Sequence, residues 1–354
     1  MLRKDTMRRL PWTLGLLALS LLFVEARGSL LGRRRLEHVN QELCGQLVDY
    51  THNHGADNRI WSEALCQKHD MYVYLPPHYD PDRLYPFGIY LHGANQDEQA
   101  FLDLVGSFDK AIASGQIPPV ILAAPDGSIQ GRPTFFNSAS FFANTHAGNF
   151  EDFVIQDVYN FMMEHYPIRP EREAHALVGA SMGGCAAFTH AMKYKECFKI
   201  VVGFHPALNM RWVDCHGRYR TPFDPCCWGW RTELRPHESL GRIKGVAIRF
   251  KYLLDPVVGR GPDAIDQISQ FNPIELLDFC DIREGDLDMF VAYGGKDELN
   301  IAAQVESFLY HAHERGLSVG VAYDPNGKHD LATGRRLFPK MLEWVAPRMA
   351  AYGW

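Results

Sequence analysis

From residue 120 onward the chain alternates short apolar runs with longer amphipathic stretches, and this alternation limits the available folds more than any other feature. Residues 120–124, 174–178, 199–204, 287–293 and 318–323 read as strands, each nearly continuous in apolar side chains. Between them, 151–166, 183–195 and 298–315 have helical spacing, the last with Ile301, Val305, Phe308, Leu309 and Ala312 on one face. A further helix follows near the C-terminus. Strands that are apolar throughout must be covered on both faces, and a helix between successive strands places those strands parallel. The expectation is an α/β fold: a mostly parallel central sheet with helices on both faces.

The stretch before residue 120 extends the pattern. Strand-like runs occupy 45–51 and 71–75, the second stopped by Pro76-Pro77, and 85–91 ends at His92-Gly93. Residues 97–114 have helical spacing, with Phe101, Leu104, Val105, Phe108 and Ile112 inward. One segment resists the alternation. Residues 211–272 carry Trp212, Trp228, Trp230 and three of the chain's eight cysteines, with several Gly and Pro, and are too long for a simple crossover. Aromatic content argues against disorder, so the segment reads as a cap inserted over a site.

The N-terminus reads as a targeting segment. Arg3, Lys4, Arg8 and Arg9 precede an apolar run over 10–24, and Val24-Glu25-Ala26 offers small residues where a signal peptidase cuts, which predicts a signal peptide over 1–26. The run is short for a membrane span. Arg33-Arg34-Arg35 is the feature that would favour an uncleaved anchor, and Met7 offers an alternative start with a tidier basic region. Residues 27–44 form a polar lead-in, and 45–354 form one domain, within reach of a single core for a chain that is 46% hydrophobic. Export places the protein in a secreted or periplasmic setting where cysteines pair. Cys215, Cys226 and Cys227 are the best candidates for pairing, and their spacing with His216 matches no usual zinc pattern. The formal net charge of −6 includes the basic leader, so the mature chain is more acidic still; nucleic acid is excluded as a partner.

The chemistry centres on Gly179-Ala180-Ser181-Met182-Gly183, which fits the G-x-S-x-G nucleophile elbow. By itself the pattern is weak. It gains weight because an apolar strand ends directly before it and a helix begins directly after, the sharp turn that exposes a serine. A serine hydroxyl needs a histidine to take its proton and a carboxylate to orient that histidine. Asp297 follows one predicted strand and His329 the next, both at strand C-terminal ends, where sites form in parallel sheets. Glu298 is the rival acid, set aside because it is expected to begin a helix; Asp324 and Asp330 are too near His329 in sequence. Among 16 histidines, His205 is the rival base, but its place after the elbow strand suits a substrate-pocket or packing role better. Backbone N–H groups of Ala94 and Met182 are the expected oxyanion donors. Cys185, one helical turn past Ser181, reads as a buried apolar side chain.

Taken in order, these pieces resemble a family. The segment Met71-Tyr72-Val73-Tyr74-Leu75-Pro76-Pro77-His78-Tyr79-Asp80, the Tyr90-Leu91-His92-Gly93 strand end, Phe150-Glu151-Asp152-Phe153 and the elbow continued to Gly184 are similar to signatures of the putative-esterase family of α/β-hydrolases. Gly294-Gly295-Lys296-Asp297 and Gly327-Lys328-His329-Asp330 resemble its acid and histidine loops. That family includes feruloyl and acetylxylan esterases, S-formylglutathione hydrolase, siderophore esterases and mycolyltransferases. The resemblance runs from about residue 45 to the C-terminus and implies an α/β-hydrolase fold, a Ser181-Asp297-His329 triad and an ester substrate, small or polysaccharide-linked, with no cofactor and no metal. Two departures stand out. Ala94-Asn95-Gln96 replaces the further glycines usual after His-Gly, and the Cys/Trp-rich insert is not general in the family. The expected activity is hydrolysis of carboxylic esters, on polysaccharide-linked or aromatic acyl groups. Acyl transfer on the same chemistry, or a binding module on a hydrolase scaffold, are the alternatives.

Overall fold

The computed structural model describes residues 36–132, 139–235, 237–243 and 245–352. The expected signal peptide and Arg33-Arg34-Arg35 lie outside these residues. No described helix is long and apolar enough to cross a membrane.

Eight strands form the central sheet: β1 Gln46–Tyr50, β2 Met71–Leu75, β3 Phe87–Leu91, β4 Ile121–Pro125, β5 His175–Ala180, β6 Ile200–Phe204, β7 Asp288–Gly294 and β8 Val319–Asp324. Their spatial order is β1-β2-β4-β3-β5-β6-β7-β8. The β1–β2 and β2–β4 pairs are antiparallel, and every pair from β4 through β8 is parallel. This is the α/β-hydrolase arrangement.

Period-two alternation explains why the strands read as continuous apolar runs. Met71, Val73 and Leu75 of β2 point to one face and Tyr72 and Tyr74 to the other, and all five are buried. On the first face lie α2 Tyr159–His165 with the π-helical stretch Phe153–Val158 before it, α3 Met182–Lys193 and α4 Ile301–Glu314. On the second lie α1 Val105–Ala113 and α5 Leu331–Met349. The lead-in joins this second layer: Leu36, Val39 and Leu43 pack against it, and Asp109 of α1 accepts from the backbone N–H groups of Cys44 and Gly45.

Three expected helices differ in detail. The helix expected over 97–114 is a 3-10 turn, Glu98–Asp103, followed by α1. The one expected over 151–166 contains the π-helical stretch, and Phe161, expected inward, is only partly buried against Tyr50. The one expected from residue 298 begins at Ile301, because Asn300 adopts a left-handed φ of 57° and its side-chain N–H donates to the carbonyls of Tyr219 and Thr221. A contact from the insert thus sets the start of α4.

Over its described residues the insert forms regular elements. It contains the hairpin of Trp212–Asp214 with Trp228–Trp230, the hairpin of Ser239–Ile243 with Val246–Arg249, and three short helices: Phe250–Leu253, Asp255–Val258 and Ala264–Ser269. In the first hairpin Asp214 faces Trp228, so the next pair in register is Cys215 with Cys227, and these two form a disulfide. Cys226, grouped with them from sequence, is an exposed free thiol.

Candidate active site

Ser181 sits between β5 and α3 with φ 55° and ψ −113°, a conformation that L-residues rarely adopt and that is held here by its surroundings. Its backbone N–H donates to the Phe204 carbonyl at the end of β6, and its carbonyl accepts from Cys185 at the start of α3. Small neighbours are a steric requirement. A Cβ on Gly179 would lie 2.0 Å from the Gly183 carbonyl oxygen, and one on Gly183 would lie 2.0 Å from the Leu91 carbonyl oxygen. The G-x-S-x-G pattern therefore records how closely β5, α3 and β3 approach at the elbow.

The loops after β7 and β8 meet at this point. Lys296 N–H donates to the Gly327 carbonyl and Gly295 N–H to the Asp324 carbonyl, which fixes one loop against the other. His329 Nε2 stands 2.9 Å from Ser181 Oγ, and its Nδ1 donates to Asp297 Oδ2 at 2.7 Å. Asp297 Oδ1 accepts from the Leu299 N–H. The Asp297 side chain is fully buried. Burial alone would raise its carboxyl pKa, but the charge and hydrogen bond of His329 hold it below the ordinary value. For His329 burial acts downward, and the Asp297 charge and hydrogen bond more than offset it, leaving the imidazole above its ordinary value. The three residues proposed from sequence are thus brought into one chain of hydrogen bonds that can carry a proton from the hydroxyl to the imidazole.

Glu298 is not the start of a helix, and it is not a rival acid at the imidazole. Its Oε2 accepts from the backbone N–H of His329 at 2.9 Å, so it fastens the histidine loop. Asp324 is paired with Arg336, and Asp330 caps α5 by accepting from Thr333 N–H. His205 is buried at the end of β6, its Nδ1 3.7 Å from Asp297 Oδ2 and its ring centre 5.4 Å from that of His329. Neither of its ring nitrogens has a hydrogen-bond partner. Burial and the neighbouring His329 push its pKa down to about 4, so it stands neutral beside the Asp297–His329 pair. Cys185 is fully buried, with its thiol pushed up to about 12 by desolvation, and is no second nucleophile.

The loop after β3 lies against the elbow. Gln96 Oε1 accepts from Gly93 N–H at 2.8 Å, and a Cβ on Gly93 would lie 3.6 Å from that of Ser181. Asn95 takes the left-handed φ of 60° that a further glycine would otherwise supply, a conformation asparagine tolerates. His92 anchors the loop from below: its Nδ1–H donates to the Gly93 carbonyl, and its Nε2 accepts from Gly127 N–H. Sequence reading missed His92; its position at a strand end next to Gly93 was the available signal. Ala94 and Met182 both border Ser181 in a small recess, and Met182, as the first residue of α3, is among the helix-start residues whose N–H groups lack an intrahelical acceptor.

Two cavities flank Ser181. One, of about 260 Å³, opens between α1 and α5 and is lined by His205, His329, Phe108, Phe338 and Arg335 among others. The other, of about 60 Å³, lies beneath the insert and is lined by Met182, Tyr219, Leu240, Phe250 and Leu254 among others. Residues of the insert therefore share this recess with Ser181.

Comparison with known proteins agrees with this architecture. A family model described as "Putative esterase" matches residues 62–244. Two curated esterases, from two strains of Mycobacterium tuberculosis, are each 29% identical over 156 residues; the match covers 42% of this chain and 32% of those proteins, so the chain spans about a third of the relatives it matches. Among solved structures, a ferulic acid esterase superposes with a TM-score of 0.62 at 16% identity, covering 86% of this chain and 99% of that one. An S-formylglutathione hydrolase from Agrobacterium tumefaciens gives 0.59 at 17% identity, covering 87% and 96%. A fluorophosphonate-binding serine hydrolase from Staphylococcus aureus gives 0.58 at 14% identity, covering 85% and 98%. At these identities the likeness to solved structures is one of fold.

Proposed function

The chain belongs to the putative-esterase family, and from that footing we propose that it is an exported serine hydrolase of carboxylic esters. The single observation that carries this reading is the hydrogen-bonded run from Ser181 Oγ through His329 to Asp297, at 2.9 and 2.7 Å. Ser181 attacks the ester carbonyl while His329 Nε2 takes the hydroxyl proton. Asp297 keeps Nδ1 protonated and stabilises the imidazolium. The backbone N–H groups of Ala94 and Met182 receive the negative charge on the carbonyl oxygen, a contribution of about 3 kcal/mol per donor in such sites. The imidazolium then protonates the departing alcohol, and water, activated by the same histidine, releases the acid. None of these steps calls for a cofactor.

Export rests on the basic and apolar leader over 1–26 and is consistent with the Cys215–Cys227 disulfide, which needs an oxidising compartment. Hydrolysis of p-nitrophenyl acetate by the purified protein, and its loss in Ser181→Ala, tests the activity. Full activity in Ser181→Ala would refute it.

A further inference from the structure

We propose that the two cavities flanking Ser181 divide the ester between them: the acyl group occupies the small recess under the insert, and the alcohol occupies the wider cavity between α1 and α5. The enzyme then selects short acyl groups on larger alcohols. The inference rests on the ester-hydrolase reading above.

In the tetrahedral intermediate the reacting carbon carries Ser181 Oγ, the oxyanion, the alkoxy oxygen and the acyl substituent. Two of these directions are set by chemistry. The oxyanion must face the N–H donors, and the alkoxy oxygen must face His329 Nε2, which delivers the proton as the carbon–oxygen bond breaks and the alcohol leaves. Water later enters where the alcohol was and returns its proton to the same nitrogen, so the acyl group stays in place through both halves. His329 lines the wide cavity and not the recess, whereas Met182 lines the recess and not the wide cavity; Ser181 and Ala94 border both. The alcohol therefore points into the wide cavity, and the acyl substituent is left with the recess.

The recess is apolar towards a ligand. Its hydroxyl, on Tyr219, already donates to the Leu299 carbonyl at 2.6 Å and accepts from Gln304 Nε2 at 2.9 Å. Its far wall is Leu240, Phe250 and Leu254, all from the insert. Arg231 stiffens that wall: it is 4% exposed, its guanidinium carbon lies 4.3 Å from the Phe250 ring centre, and it pairs with Glu238 at 2.6 Å. At about 60 Å³ against about 260 Å³ for the wide cavity, the recess suits an acetyl or butyryl group better than an aromatic acyl group, one of the two classes expected from sequence. The wide cavity joins apolar side chains such as Tyr90, Phe108 and Phe338 to polar Gln96, Ser107 and Arg335, surroundings suited to a carbohydrate or other amphipathic alcohol.

The test is kcat/KM for p-nitrophenyl acetate, butyrate, hexanoate and octanoate, with methyl ferulate alongside, on the wild type and on Leu254→Ala, Leu240→Ala and Leu331→Ser. Leu331 is a 42%-exposed residue on the rim of the wide cavity. The wild type should favour acetate or butyrate over octanoate by at least about tenfold, because an acyl chain that overfills a pocket loses that much transition-state binding. Leu254→Ala should raise the octanoate-to-acetate ratio about tenfold, and Leu240→Ala does the same by an independent route should the first variant fail to fold. Leu331→Ser should leave that ratio unchanged. Wild-type activity on octanoate or ferulate equal to that on acetate would overturn the assignment, as would a shift of acyl preference by Leu331→Ser instead of the insert variants. Failure of the wild type to hydrolyse any of these esters would overturn the hydrolase reading and the inference with it; activity with no acyl-length preference overturns the inference alone.

Discussion

Glu298 Oε2 accepts a hydrogen bond from the backbone N–H of His329 at 2.9 Å, tying the acid loop to the histidine loop at the residue that must move a proton. Glu298 therefore acts as a positioning residue. Glu298→Ala should lower kcat/KM about tenfold, equivalent to ~1.4 kcal/mol of transition-state stabilisation. Glu298→Gln, which keeps an acceptor oxygen, should recover most of the loss. Equal loss in both variants would point to a role for its charge instead of its hydrogen bond.

The Asp297–His329 pair sets the pH dependence. His329 must be neutral to accept the Ser181 proton, and Asp297 holds its pKa above the ordinary 6.5. Activity should therefore rise with pH through a midpoint above 6.5 in a kcat/KM profile. Asp297→Asn should move the midpoint to lower pH and reduce kcat by about 10³–10⁴-fold, because the imidazole loses both its charge partner and its tautomer control. An unchanged midpoint in Asp297→Asn would show that another group governs the profile.

What the sequence made legible was whatever depends on local periodicity and chain order. Strand β2 and its neighbours bury both faces and so read directly as apolar runs; Ser181, Asp297 and His329 sit at strand ends, where chain order alone places them together. What it hid depends on long-range contacts. The start of α4 at Ile301 follows from Asn300 reaching across to Tyr219 and Thr221 of the insert, which is also why Glu298 does not begin the helix that its spacing suggests. The choice of Cys227 over Cys226 follows from the hairpin register that pairs Asp214 with Trp228, and no spacing rule contains that register. The division between the two cavities depends on insert residues such as Phe250 and Leu254, which share a recess with Ser181 although they lie about 70 residues away along the chain.

A buried acidic cluster predicts a stability change with pH. Asp70, Glu98 and Asp126 are all buried and bring one oxygen each within 4.8 Å of one another. Burial, then the charges of Asp97, Asp126 and Asp70, push Glu98 up to about 10 from 4.5. The folded state thus keeps a proton that the unfolded chain releases. The stabilisation is complete below pH 4.5 and is lost progressively as pH rises towards 10. Glu98→Gln, still able to accept from Asn53 Nδ2, should flatten the fall in Tm between pH 5 and 9; parallel Tm curves for the two proteins would contradict this.

The disulfide has a countable signature. Of eight cysteines, Cys215 and Cys227 are bonded and six are free, so thiol titration in non-reducing denaturant should find six. Cys215→Ser should free the Cys227 thiol, raising the count to seven, and should weaken the cap by up to about 3 kcal/mol, the loop-closure term for a short ring. A count of eight in the wild type would remove the disulfide from the account.

Intact-mass analysis after treatment with a fluorophosphonate, followed by peptide mapping, identifies the nucleophile. One adduct per chain on the peptide carrying Ser181, absent in Ser181→Ala and strongly slowed in His329→Ala, is the predicted result. No adduct, or an adduct on another residue that persists in Ser181→Ala, would contradict Ser181 as the nucleophile.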